Sequence, residues 1–253
     1  MPAIGPHAAN NHAVRDDQCA MRSMLTWVLL CGCHGAPPSP SVDRLTGCGP
    51  DLELVRIATG RDGQAFWIGR FEVTNAQFAA FVAATGYDGG GHPSSKPTEP
   101  FLGHFQDGRP PAGAELHPVC NLNLHHARAY CRWLSERTGW RVRLPTDAEW
   151  ELAATGGTDR VYPWGDEWDP MRCNWGSPAD GFATSAPVGS FPAGTTVDGV
   201  HDMAGNIWEW TEAGTLRGGP WCMNEATVRC AVVAREDVDR ADDKFGLRVV
   251  VDG

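Results

Sequence analysis

The run His201-Asp-Met-Ala-Gly-Asn-Ile-Trp-Glu-Trp210 carries residue types suited to holding a hard cation. Asp202 and Glu209 offer carboxylates, and the spacing lets the main-chain carbonyls of Gly205 and Ile207 point at the same ion from one tight turn. Ca²⁺ favours such a mixture of side-chain and backbone oxygens. The neighbouring Trp208 and Trp210 would wall it from solvent. The same residues also fit a turn closed by glycine whose tryptophans are simply core. Arg217-Gly-Gly-Pro-Trp221 follows directly and brings two more glycines and a third tryptophan into the same stretch.

The elements that must position these residues belong to a chain of 253 residues, 42% hydrophobic and 21% charged, which suits one larger globular domain or one domain with a tail. A formal net charge of −10, with no basic run, argues against a nucleic-acid partner. The 30 glycines and 19 prolines predict a loop-rich fold with few long elements. Cysteines stand at 19, 31, 33, 48, 120, 131, 173, 222 and 230; none forms a CxxC pair, and no Cys/His spacing reads as a zinc site.

Residues 1–33 read as a leader. Arg22 supplies a positive start and Met24 to Leu30 an apolar stretch far too short to span a bilayer, and translation is expected to begin at Met21. Leu30-Cys-Gly-Cys33 resembles a bacterial lipobox, which would acylate Cys33 and anchor the protein to a membrane by lipid alone; a chance apolar patch in a tail is the other reading. Residues 34–51 read as a Pro/Ser-rich tether, leaving 52–253 as the domain. Cleavage before Cys33 would leave six further cysteines in an oxidising compartment. Three disulfides would then be allowed, with pairing unspecified.

Within the domain, Leu52 to Ile57 and Ala65 to Phe71 read as strands. Thr74-x-x-Gln77 is a capping box, and Phe78, Phe81 and Val82 share a helical face ahead of Gly86, predicting a helix over 75–85. Residues 88–116 form a Gly/Pro-rich excursion. Asn123 caps a second predicted helix to about Arg137, with Ala127, Tyr130, Cys131 and Leu134 inward and Gly139 closing it. His125 and His126, in its first turn, read as surface histidines, with a metal role as the alternative. A third capping box, Thr146-x-x-Glu149, precedes a short helix. Beyond Gly156 only short strands and loops are expected, at 162–166, 174–175, 186–191, 218–221, 228–234 and 245–251.

Several ordered blocks carry a family resemblance. They are Phe71-Glu-Val-Thr-Asn-Ala-Gln-Phe78, His117-Pro-Val, Ala129-Tyr-Cys-Arg-Trp133, Arg143-Leu-Pro-Thr-Asp-Ala-Glu-Trp-Glu151 and Tyr162-Pro-Trp-Gly-Asp166. Pro187-Val-Gly-Ser-Phe191, Asp202-Met-Ala-Gly-Asn-Ile-Trp-Glu-Trp210, Arg217-Gly-Gly219 and Phe245-Gly-Leu-Arg248 continue the series. Together they resemble the formylglycine-generating enzyme, or sulfatase-modifying factor, domain over roughly residues 52–251. The resemblance implies an α+β fold of C-type-lectin type, with two or three helices and short antiparallel strands. It also implies two structural Ca²⁺ sites, one on Asn174, Trp175, Asp180 and Phe182 and the other on Asp202, Gly205, Ile207 and Glu209.

The family's enzymes oxidise a client sulfatase Cys to formylglycine with O₂, using two thiols that bind Cu(I), a soft ion suited to thiolate. Here the pattern departs. Pro220 stands where the family has Ser, Cys222 falls one residue early, and Cys230 lies farther on than the family's second thiol, matching instead a structural Cys. Arg235 to Lys244, dense in Asp and Arg, occupies a surface that some relatives diversify, and otherwise reads as a solvated loop. The leading expectation is therefore an exported, lipid-anchored, Ca²⁺-stabilised protein of the periplasm or outer membrane that binds a protein or glycan. The alternative is a divergent Cu-dependent oxidase using Cys222 with Cys230. A disulfide between those two, or two lone thiols, is a further reading.

Overall fold

Each of the three expected helices forms where its cap sits. The computed structural model describes residues 44–58, 63, 65–96 and 98–252. The first helix, α1, spans Asn75–Thr85; the Thr74 hydroxyl accepts from the Gln77 N–H at 3.3 Å while the Gln77 side chain accepts from the Thr74 N–H at 2.9 Å. These reciprocal bonds satisfy donors that a helix start otherwise leaves unpaired. Helix α2 spans Leu124–Thr138 and α3 spans Asp147–Thr155, capped by Asn123 and Thr146 in the same manner.

Two small sheets complete the frame. Strands β1 (Arg44–Leu45), β2 (Leu52–Ile57), β3 (Phe66–Gly69), β4 (Val142–Arg143) and β9 (Val250–Asp252) form the first, in the order β1-β2-β3-β9-β4, every pair antiparallel. Strands β5 (Trp208–Trp210), β6 (Thr215–Arg217), β7 (Ala234–Arg235) and β8 (Phe245–Gly246) form the second, in the order β7-β6-β5-β8, with β5 and β8 parallel. This is the expected α+β arrangement: few helices, short strands and much ordered loop.

The main core lies between α1, α2 and the sheets. Phe78 stacks on Tyr130 with ring centroids 5.2 Å apart, and Phe81 meets Trp133 at 5.4 Å. Trp210 enters the same core and donates its indole N–H to the Leu122 carbonyl at 2.9 Å, so its one polar atom is satisfied. A second cluster gathers Trp150, Ala153 and Ala154 of α3 against Ile57, Ile68, Met203, Cys230 and Val250.

The structure corrects several expectations. The segment read as a tether is packed at its C-terminal end: Arg44–Leu45 pairs with β2, and Leu45 and Cys48 are buried in the main core. Leu45 answers the apolar face of the first sheet, which the Pro/Ser composition upstream of it does not reveal. The leader, Cys33 and residues 34–43 lie outside the described residues. His126 is fully buried rather than on the surface, because its Nδ1 accepts the Asn123 N–H at 3.1 Å and takes the capping-box place that Glu or Gln usually fills. Of the later predicted strands, 162–166 is only a Tyr162–Gly165 bridge, while 186–191 and 218–221 are turns. The run 245–251 splits into β8 and β9 on different sheets.

None of the six described cysteines is paired. Cys48 and Cys131 sit in the main core, Cys230 in the second, and Cys173 in a smaller cluster with Tyr162 and Val228. They fill space there as small apolar side chains. Among the described residues, no helix is long and apolar enough to cross a membrane.

Candidate functional site

Strand β5 places the Glu209 carboxylate in the interior, and the segment between β8 and β9 brings Arg248 against it. Arg248 donates from Nε and Nη2 to the two Glu209 oxygens, each at 2.7 Å, and both side chains are fully buried. The Trp150 indole N–H of α3 adds a third bond to Glu209, also 2.7 Å. The remaining guanidinium donors reach the Gly69 carbonyl at 2.9 Å and the His201 carbonyl at 3.0 Å. Two charges out of water are tolerable only when their hydrogen-bonding capacity is filled in this way.

Two further carboxylates stand beside this pair. Glu72, between β3 and α1, accepts from the Asn206 amide at 3.1 Å through one oxygen, while its other oxygen, Oε1, has no hydrogen-bond partner. Burial, followed by the charges of Asp202 and Glu209, pushes the Glu72 carboxyl well above its ordinary range. Asp202 accepts from the Gly189 N–H at 2.6 Å, and burial pushes it up to about 6. One guanidinium thus faces three interior carboxylates, and protonation is one way to relieve the excess negative charge.

The turn that contains these groups depends on its backbone. Asp202 and Asn206 adopt positive φ, 58° and 65°, a region that Asp and Asn tolerate better than most residues. Gly205 between them has φ 81°, and a Cβ there would lie 2.1 Å from the Asn174 carbonyl oxygen, so only glycine fits. Asn206 ties the region together. Its N–H donates to the Asn174 carbonyl at 2.7 Å, its Oδ1 accepts from the Ala186 N–H at 2.8 Å, and its carbonyl accepts from Trp221 N–H at 2.9 Å.

The expected metal ligands fall into two different arrangements. Asn174, Trp175, Asp180 and Phe182 come together: the Asp180 carboxylate accepts the Phe182 N–H at 3.0 Å and the Trp175 N–H at 3.4 Å, and Asn174 is buried with its Oδ1 unpartnered. An orphaned buried oxygen next to a carboxylate suits a hard cation. The donor set therefore fits Ca²⁺. Asp202, Gly205, Ile207 and Glu209 share one turn and strand start, as the sequence suggests, but Glu209 does not stand free. Both of its oxygens accept hydrogen bonds, from Arg248 and Trp150. In the second set a cation would therefore share the Glu209 carboxylate with Arg248.

The two candidate thiols are also separated. Cys222 is exposed and lines an open cleft of about 470 Å³ with Gly176, Ser177, Phe182 and Trp221. Cys230 is 1% exposed in the second core, where burial pushes its thiol up to about 12, and its carbonyl accepts from Arg217 at 3.0 Å. Partial desolvation also raises the Cys222 thiol. Gly219 explains the chain's path between them: at φ 79°, a Cβ would come within 2.9 Å of the Thr227 carbonyl oxygen.

Sequence reasoning missed Glu72, Trp150 and Arg248 as parts of the interior site, although each lies in a block quoted above. An arginine in an otherwise apolar run, Phe245-Gly-Leu-Arg-Val-Val-Val251, was the available signal, since a buried arginine needs an acid partner. The segment 235–244 is not simply solvated either. The Asp242 side chain is fully buried against Lys244 and Arg240, each at 2.5 Å, and its hydrogen bonds, led by that to Lys244, outweigh burial to hold its carboxyl well below the usual range.

Residues 56–253 match the sulfatase-modifying factor enzyme 1-like domain. The chain is similar to an inactive C-alpha-formylglycine-generating enzyme 2 of Bos taurus, at 38% identity over 52% of this chain and 49% of the relative. It is also similar to a formylglycine-generating enzyme of Thermomonospora curvata, at 35% identity over 57% of this chain and 58% of the relative. The chain thus spans about half the length of these curated relatives. Among solved structures, PvdO from Pseudomonas aeruginosa superposes with a TM-score of 0.64 over 85% of this chain and 89% of its own, at 24% identity, a likeness of fold.

The interior ion pair sets a measurable expectation. Arg248→Met would strand Glu209 beside Glu72 and Asp202, and losing one partner of a buried pair costs about 3–5 kcal/mol. Urea unfolding of the variant is expected to show a loss of that size; a loss under about 1 kcal/mol, the level of an exposed pair, would contradict the role given to Arg248.

Proposed function

This chain belongs to the sulfatase-modifying factor family, and from that premise we propose that it is a binding protein of the cell envelope that keeps the family scaffold without the copper dithiol. The observation that carries this reading is the placement of the two thiols: Cys222 lines an open cleft while Cys230 is enclosed in the second core. A Cu(I) site needs both sulfurs on one ion, and Cys230 would have to leave its apolar surroundings to serve. The bovine relative's description as inactive supports the idea that family membership need not bring the oxidase activity.

The cleft suits a ligand bound by surface rather than by chemistry. Phe182 and Trp221 offer aromatic surface, and Gly176, Ser177, Gly181 and Ala183 leave backbone and a hydroxyl accessible around them. Aromatic faces with a few polar groups are the usual furniture of ligand clefts, and they accept the apolar face of a sugar ring or a peptide side chain. We assign export and a lipid anchor at Cys33 to the same proposal. Their support is the leader pattern of residues 21–33.

The competing reading, an oxidase converting a client Cys to formylglycine, draws on the Thermomonospora relative and on the exposed Cys222. One two-armed experiment separates them. Incubated with Cu(I), O₂ and a Cys-x-Pro-x-Arg peptide, the protein is expected to leave the peptide unchanged. Immobilised, it is expected to retain glycans or peptides of the envelope, with retention lost in Trp221→Ala. Conversion of the peptide Cys, abolished by Cys222→Ser, would replace the binding reading with the oxidase.

Ca²⁺ belongs to the proposal through Asn174, Trp175, Asp180 and Phe182. An ion there would fill the vacant capacity of Asn174 Oδ1 and bring the Asp180 carboxylate beside it. A ligand at about 100 times its dissociation constant stabilises by about 2.7 kcal/mol. Ca²⁺ is therefore expected to raise the melting temperature of the native chain and to do so far less in Asp180→Asn. An unchanged melting temperature on adding Ca²⁺ or EGTA would remove Ca²⁺ from the account.

A further inference from the structure

A second group of ligating side chains lies away from both the interior carboxylates and the cleft. His92 comes from the long excursion before α2, His125 from the first turn of α2, and Asp239 from the loop between β7 and β8. The His92 and His125 rings stack with centroids 4.1 Å apart and planes within 7°. His125 Nε2 lies 2.9 Å from an Asp239 oxygen, and one donor atom from each of the three falls within 4.8 Å of the others.

The backbone beneath this trio is fixed by buried polar groups. The Asn123 side-chain amide donates to the carbonyls of both His92, at 3.2 Å, and Asp239, at 3.3 Å. His126 donates from Nε2 to the same His92 carbonyl at 2.9 Å, while its Nδ1 accepts from Asn123, which sets its tautomer. Ser95 N–H adds a bond to the Asp239 carbonyl at 2.9 Å, and Leu124 N–H one to Val238 at 3.1 Å. Two fully buried side chains, Asn123 and His126, thus register three remote segments so that two imidazoles and a carboxylate face one another at the surface.

We propose that His92, His125 and Asp239 form a binding site for a borderline divalent transition metal, with Zn²⁺ as the reference ion and a fourth position open to water or to an oxygen of a ligand. Two imidazoles and one carboxylate with an open position is a recognised Zn²⁺ donor set. Metal–ligand bonds near 2.0–2.2 Å place tetrahedral donors about 3.4 Å apart, so the partly exposed side chains need only rotate inward. In closing, the metal takes over the His125 nitrogen that now faces Asp239. The ion would add a link between the excursion, α2 and the 235–244 loop, which are otherwise joined through Asn123, His126, the Ser94 hydroxyl on Ala241, the Lys96–Asp242 ion pair and backbone bonds. The hard-ion set at Asn174 and Asp180 makes no use of these residues, so the two sites load independently.

The test uses the full chain in excess Ca²⁺, with Cys222→Ser removing the exposed thiol among the described residues and Cys19→Ser, Cys31→Ser and Cys33→Ser removing the thiols of the leader as competing ligands. Competition against a chromophoric chelator is expected to find one Zn²⁺ per chain, bound at least about tenfold more weakly in His92→Gln and in His125→Gln, as loss of one of three ligands requires. Unchanged affinity in both variants, or no binding at millimolar Zn²⁺, would overturn the proposal. Should a variant fail to fold, imidazole NMR of the unsubstituted chain decides: Zn²⁺ must shift His92 and His125, and shifts confined to His117 or His201 would count against the site.

Discussion

The buried pair of Glu209 and Arg248 is the constraint around which the rest of the molecule is arranged. A guanidinium in an apolar interior forces every neighbour to present an acceptor. The neighbours that do so come from β3 through Gly69, from the turn at His201 and from β5 through Glu209, while α3 closes the shell with the Trp150 indole. The pair thereby couples both sheets and a helix through one side chain. Shape-based packing could slide by a fraction of an ångström at these junctions; five directed hydrogen bonds to Arg248 and Glu209 cannot.

That coupling also explains how so little regular structure holds together. Between Gly156 and Trp208 the regular structure is two short 3₁₀ turns and the Tyr162–Gly165 bridge, and backbone groups there are met by tight turns and by side chains from distant positions. Asn206 alone serves residues 72, 174, 186 and 221. Each such bond replaces what a ladder or a helix would supply locally. The same region carries the Asn174 and Asp180 oxygens and the cleft, so the candidate site is built from loops whose geometry polar contacts set.

Legibility in the sequence followed this division. The helices were readable because their determinants are local: a capping residue, its partner three positions on, an apolar face and a closing glycine all fall within one window at 74–86, 123–139 and 146–156. Of the strands after α3, the expected 245–251 stretch held β8 and most of β9, but β5 and β6 went unread because they run only three residues and owe their extension to partners elsewhere in the chain. Family resemblance placed the candidate cation ligands by position but could not show that Arg248 and Trp150 bond to Glu209. His126 was misplaced for a related reason: a histidine in a helix's first turn looks solvent-facing until the cap it completes is seen. Cysteine count misled as well, since even numbers suggest pairing whereas most of these thiols fill separate pieces of core.

The register of the first sheet has a temporal side. Strand β9 is an interior strand of it, bonded to β3 on one edge and β4 on the other, with Phe66 opposite Asp252 and Val142 opposite Val251. The strand that joins β3 to β4 thus comes from the far end of the described chain. Pairings of such long sequence separation are slow to form because loop closure precedes any reward. As the chain leaves the ribosome, β2 and β3 can meet early, but they must wait with an open edge until Val250 emerges. Stepwise assembly from the amino end cannot finish this sheet, and any synthesis halted before β9 leaves β3 with an open edge and β4 with no strand to join it to the sheet.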